Sequence, residues 1–159
     1  MIIKARASRA QSLIAVIAIS MFAAVLHVAA QERGTTREKA AAVESGKVTD
    51  ELDGSDDSYW YKFTAGPGNV TITLEVEANE TNAGATLDVF GSGSRPILSS
   101  VLAQGVDKGS ERVEKTFKLL KQQTITVRIK GIKYGDHGGT GTYTITVENG
   151  EKKVNGDNE

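Results

Sequence analysis

Apolar and polar side chains alternate with a period of two through most of residues 47–147. Val70, Ile72, Leu74 and Val76 alternate with Thr71, Thr73, Glu75 and Glu77. That is the pattern of a strand with one buried and one wet face, so Thr73 is expected to face water. Ile125, Val127 and Ile129 repeat the pattern against Thr124, Thr126, Arg128 and Lys130. Tyr143, Ile145 and Val147 do so against Thr142, Thr144 and Thr146. Val113, Phe117 and Leu119 share one face of a further strand, and shorter runs cover 47–52, 59–64, 86–90 and 97–102. Asp53-Gly54-Ser55, Gly66-Pro67-Gly68, Gly91-Ser92-Gly93 and Gly138-Gly139 fall between these runs, where turns are needed.

This spacing predicts an all-β fold, an antiparallel jelly-roll-like β-sandwich of about eight strands. No segment after Ser45 carries the 3.6-residue period of a helix, and no βαβ alternation appears. The predicted core comprises Tyr61, Phe63, Ile72, Leu74, Leu87, Val89, Val127, Ile129, Tyr143 and Ile145.

The two ends of the chain read differently. Lys4, Arg6 and Arg9 precede an almost unbroken apolar run from Leu13 to Leu26, and Val28-Ala29-Ala30 follows it. A basic flank, a short apolar core and small residues at the −3 and −1 positions describe a cleavable signal peptide over 1–30. A membrane-spanning helix needs about 20 apolar residues, more than this run supplies. The expected mature chain starts at Gln31 and is secreted or periplasmic, with no membrane insertion after cleavage. Residues 31–45 are charged and Ala-rich without a wide apolar stripe, which predicts a flexible spacer. The predicted sandwich domain then occupies 46–149. The tail 150–159 holds one apolar residue and is expected to be disordered.

Charge and composition narrow the chemistry. Three of the 19 Lys and Arg precede Ala30 and all 20 acidic residues follow it, so the mature chain carries 16 basic against 20 acidic side chains, net −4. That balance argues against a nucleic-acid partner held through phosphates. The sequence has no Cys, so no disulfide, thiolate nucleophile or Cys-ligated zinc is available. Of its two His, His27 falls in the signal peptide and His137 stands alone in a Gly-rich loop. Gly91-Ser92-Gly93-Ser94 lacks the spacing of a nucleophile elbow. No catalytic constellation assembles from these parts, and a non-enzyme is expected.

Three features remain as binding candidates. Trp60, the only Trp, lies between Tyr59 and Tyr61 and points away from the core face they share. It either stacks on a sugar ring or protein partner, or covers the back of the sheet beside a neighbouring strand or the N-terminal segment. Tyr134 and His137, in the loop Lys133–Gly139, are candidates for the rim of a binding surface, since sandwich loops collect function. Asp50, Glu51, Asp53, Asp56 and Asp57 gather hard oxygen ligands around a turn, as calcium requires.

The order of motifs resembles the bacterial pre-peptidase C-terminal domain. Val48–Leu52 leads into Asp53-Gly54-Ser55-Asp56-Asp57, then Tyr59-Trp60-Tyr61-Lys62-Phe63, Ala65-Gly66, the Val70–Val76 strand and Leu87-Asp88-Val89-Phe90. Ile125–Ile129, a Gly-rich loop and Gly141-Thr142-Tyr143-Thr144-Ile145-Thr146-Val147 close the series. The resemblance spans residues 46–149. It implies a jelly-roll-like sandwich related to the collagen-binding modules of clostridial collagenases. It also implies a secreted, non-catalytic module that binds a substrate or surface, or accompanies an exported peptidase. Those relatives bind calcium through aspartates before the aromatic strand. Aligned on Tyr61-x-Phe63, Asp56 falls on one such position, while Tyr59 stands where the second belongs. Asp53, Asp56 and Asp57 are therefore the candidate calcium ligands, at the weak end of extracellular sites, and no other cofactor is expected. The expected partner is an extracellular protein or polysaccharide, bound by a monomer. The alternative roles are a structural or chaperone-like accessory of a secreted peptidase, and a hydrolase.

Overall fold

The alternation of side chains places each long strand with one face inward, and two sheets close over the result. The computed structural model describes residues 32–55, 57–79, 82–134 and 137–150; the expected signal peptide and tail, beyond Gly150, lie outside them. The strands are β1 (Ala41–Ala42), β2 (Lys47–Asp53), β3 (Ser58–Ala65), β4 (Gly68–Ala78), β5 (Asn82–Phe90) and β6 (Pro96–Val106). They continue with β7 (Ser110–Leu119), β8 (Gln123–Gly131), β9 (Lys133–Tyr134), β10 (His137–Gly138) and β11 (Thr140–Asn149). Among the described residues there is no helix.

One sheet has five strands in the order β1-β3-β8-β5-β6, and the other has four, β2-β11-β4-β7. The pair β9-β10 forms a separate ribbon. Counting only the eight long strands, the first, eighth, third and sixth build one sheet, and the second, seventh, fourth and fifth the other. That order is a jelly roll, two Greek keys folded over one core. Every pairing of long strands is antiparallel; only β1 runs parallel to its neighbour, β3.

All ten residues predicted for the core are at most 2% exposed. Ile72 and Leu74 of the four-stranded sheet share one cluster with Leu87, Val127 and Ile129 of the other. The outer face differs from expectation at one position. Thr73 is only 5% exposed, because it sits in a central strand between Thr146 and Glu114, whose side chains flank it.

Residues 32–45 are not the flexible spacer that their composition predicts. Gly34 bridges Trp60, and Ala41–Ala42 pair with Tyr61–Lys62. Ala40 and Val43 are buried. This strap closes the free edge of β3. It needs no apolar stripe, because backbone hydrogen bonds and two arginines hold it.

Candidate functional site

Strand β3 sends Tyr61 and Phe63 into the core and so turns Trp60 and Lys62 outward. On the same outer face, Arg128 of β8 stands directly beside Trp60, and Asp88 of β5 directly beside Arg128. The three form one cross-strand row.

Asp88 anchors it. Arg128 donates to the Asp88 carboxylate from Nε at 2.9 Å and from Nη2 at 2.5 Å. The Ser100 N–H donates to its other oxygen at 2.9 Å. A carboxylate that is only 6% exposed needs such partners. Arg128 in turn lies 5.6 Å from the centroid of the Trp60 ring, within cation–π range. Trp60 also meets Phe90, 5.6 Å between centroids with the rings tilted by 35°. Arg37 of the strap covers Phe90 at 4.8 Å and donates to the carbonyls of Gly91 and Gly93 at 2.7 and 2.8 Å.

Trp60 is therefore half-buried and packed against Arg128 and Phe90. The ring packs on the back of the sheet beside β8 and the strap, as one of the two sequence readings has it. An open cleft of about 530 Å³ is lined by Arg37, Glu38, Gln123, Thr124, Thr126 and the Gly91–Ser92 turn, with Arg37 shared between it and the Phe90 ring. Its own N–H and the Thr36 hydroxyl hold the Glu38 carboxyl below the usual range, so it is ionised. Hydroxyl, amide, guanidinium and carboxylate groups in the cleft can bind the hydroxyls of a sugar, and a half-buried aromatic ring can bind its flat face.

The acidic turn has a different arrangement. Arg33 reaches Asp50 from Nε and Nη2, both at 2.6 Å, and stands 3.8 Å from Asp53. It also lies over the Tyr59 ring at 4.5 Å. Asp50 further accepts the Glu51 N–H and the Tyr61 hydroxyl. Burial pushes the Asp50 carboxyl up, but Arg33, the Glu51 N–H and the Tyr61 hydroxyl outweigh it and hold the group below the ordinary aspartate value. The Ser55 hydroxyl and N–H, with Tyr59 and Arg33, hold Asp53 low in the same way. Asp57 is exposed, and its N–H donates to the Ser55 hydroxyl. Asp56 lies outside the described residues. Among those described, no group of three acidic or imidazole side chains is placed to hold a metal. Of the three candidate ligands, Asp53 has the Arg33 guanidinium 3.8 Å away.

Tyr134 and His137 are register partners in the β9–β10 ribbon, which follows β8 and belongs to neither large sheet; their side chains lie outside the described ones. The sequence reading missed Phe90, Asp88, Arg128, Arg37 and Arg33. A charged residue inside each alternating strand was visible, as in Leu87-Asp88-Val89 and Val127-Arg128-Ile129. That these two stand side by side is a matter of register, which one strand's sequence does not carry.

No protein-family profile matches the chain, and no curated protein matches its sequence. Solved structures resemble it. One is the pre-peptidase C-terminal domain of collagenase from Bacillus anthracis, 16% identical over 69% of this chain and 92% of that one, TM-score 0.41. Another is the GH115 4-O-methyl-α-glucuronidase BtGH115A, 8% identical over 76% of this chain, which spans 16% of that one, TM-score 0.45. A third is a CBM4 structure, 13% identical over 67% of this chain and 72% of that one, TM-score 0.41. At these values the likenesses carry no argument about what this chain binds.

Proposed function

We propose that this chain is an exported, non-catalytic β-sandwich module that binds an extracellular polymer, polysaccharide or protein. Binding occurs on the outer face of the five-stranded sheet, with Trp60 at its centre. One observation carries this reading: the half-buried Trp60 ring on the outer face, packed against Phe90 and the Arg128–Asp88 pair. A pre-positioned aromatic loses little side-chain entropy when a ligand stacks on it. In this reading Tyr134 and His137 contribute at the rim. A glycan and matrix-protein array with the mature chain tests it. Trp60→Ala should abolish the signal of any bound polymer, and Tyr134→Ala and His137→Ala should only weaken it. Binding indifferent to Trp60→Ala would refute the site. Export requires removal of residues 1–30, so the exported protein should begin at Gln31 by N-terminal sequencing; recovery of the intact chain in membranes would refute that.

A further inference from the structure

Charge divides the two outer faces of the sandwich unequally. On the four-stranded sheet, Glu51, Asp53, Glu75, Glu77, Glu114 and Glu148 point outward, against Lys47, Arg112 and Lys118. On the strands of the five-stranded sheet the outward charges are Lys62, Arg128 and Lys130, against Asp88 alone. Asp88 is used up by Arg128, which leaves Lys62 and Lys130 as open cations. Both are exposed, and none of the described residues forms a salt bridge with either. The strap holds Arg33, Arg37 and Lys39 against Glu32, Glu38 and Glu44, and so shifts the balance neither way. The two faces carry equal numbers of outward cations; the acids are what differ, and they gather on the face opposite the one Trp.

The positions matter as much as the count. Lys62 is the next outward residue after Trp60 along β3, about 7 Å away. Lys130 pairs with Ser58, the outward residue on the other side, so it stands diagonally from Trp60 at about 7–8 Å. The lysines flank the ring on either side, each on a flexible stem able to reach a group on the neighbouring sugar.

We infer that the ligand of this face is an acidic polysaccharide, with one sugar stacked on Trp60 and carboxylate or sulfate groups of adjacent sugars at Lys62 and Lys130. The inference rests on the binding-module reading above and names the ligand class for its site. Charged contacts in solvent give salt-sensitive attraction and selectivity, and stacking fixes the register.

Affinity electrophoresis of the mature chain tests it, with polygalacturonate, dextran sulfate, neutral dextran, gelatin and duplex DNA as immobilised phases. Retention by polygalacturonate, dextran sulfate or both, but not by dextran, is expected; which of the two retains it identifies the acidic group. Raising the salt should weaken retention. Lys62→Gln with Lys130→Gln should weaken it about tenfold with an unchanged melting temperature, and Trp60→Ala should abolish it. Lys47→Gln with Lys118→Gln, on the opposite face, should leave it intact. Equal, Trp60-dependent retention by dextran, or retention by gelatin alone, would overturn the inference and leave the binding-module reading standing. Equal retention by DNA would reduce the face to a simple cation exchanger and overturn it. Retention lost only in the opposite-face variant, or by no phase at all, would overturn it too, and the last result would remove polysaccharide from the broader reading.

Discussion

Tyr143 and Tyr61 meet hydroxyl to hydroxyl at 2.6 Å in the interior, one from each sheet. The Tyr61 proton goes to Asp50, so Tyr143 is the donor within the pair. Burial, first of all, pushes both phenols well above their usual range, so neither ionises near neutral pH. The direction of donation predicts unequal mutants. Tyr61→Phe strands the Tyr143 hydroxyl and removes a donor from Asp50, and should cost about 1–3 kcal/mol. Tyr143→Phe removes only a bond that Tyr61 accepts, and should cost about 1 kcal/mol or less. Urea titrations of both variants check the order. Leu74→Ala, in the core at 1% exposure, should cost about 2–5 kcal/mol. Residues of this kind were legible in the sequence, because an inward apolar position is set by alternation alone. Thr73 was not, because its burial comes from the neighbours on two other strands. Nor was the fate of the acidic turn. With Arg33 already seated between Asp50 and Asp53, calcium must compete with a guanidinium, and about 1 mM calcium should leave the melting temperature unchanged. A rise of several degrees that Asp56→Ala abolishes would contradict this.

The strap is held by contacts that no local pattern announces. Arg33 and Asp50 are 17 residues apart, and Arg37 and Gly91 are 54 apart, so residues 32–45 looked unstructured by composition. At Gly34 the fit is tight: an added Cβ would stand 2.5 Å from the carbonyl oxygens of Lys39 and Trp60. Both are backbone atoms, so Gly34→Ala must shift the strap and should cost about 1–3 kcal/mol. Limited proteolysis after Arg37 and Lys39 should become faster in that variant, with cleavage elsewhere little changed. The Arg33–Asp50 pair also ties the strap to pH. A carboxyl held below its unfolded value near 4 contributes stability above that value and loses it as pH falls through the folded one. Between pH 7 and about pH 3, wild type should therefore lose more stability than Asp50→Asn. At pH 7 the variant should already be about 1–3 kcal/mol less stable, the guanidinium being left unpaired but partly solvated. Equal pH slopes in urea titrations would refute the assignment.

At the scale of the whole molecule, the existence of eight long strands and their faces could be read from period and turns. The order in which strands pair could not, since a strand's own sequence does not name its neighbour. The candidate site shares that limit. Trp60 stood out as a single residue, but Arg128, Asp88 and Phe90 join it only once β3, β8 and β5 lie side by side. The same pairing order governs assembly. Strand β2 pairs in its sheet only with β11, the first long strand with the last. A chain emerging from the ribosome amino end first must carry residues 47–53 unpaired until residues 140–149 appear. The four-stranded sheet thus cannot close before its last strand is available. Dominance of such distant contacts also places refolding in the millisecond-to-second range.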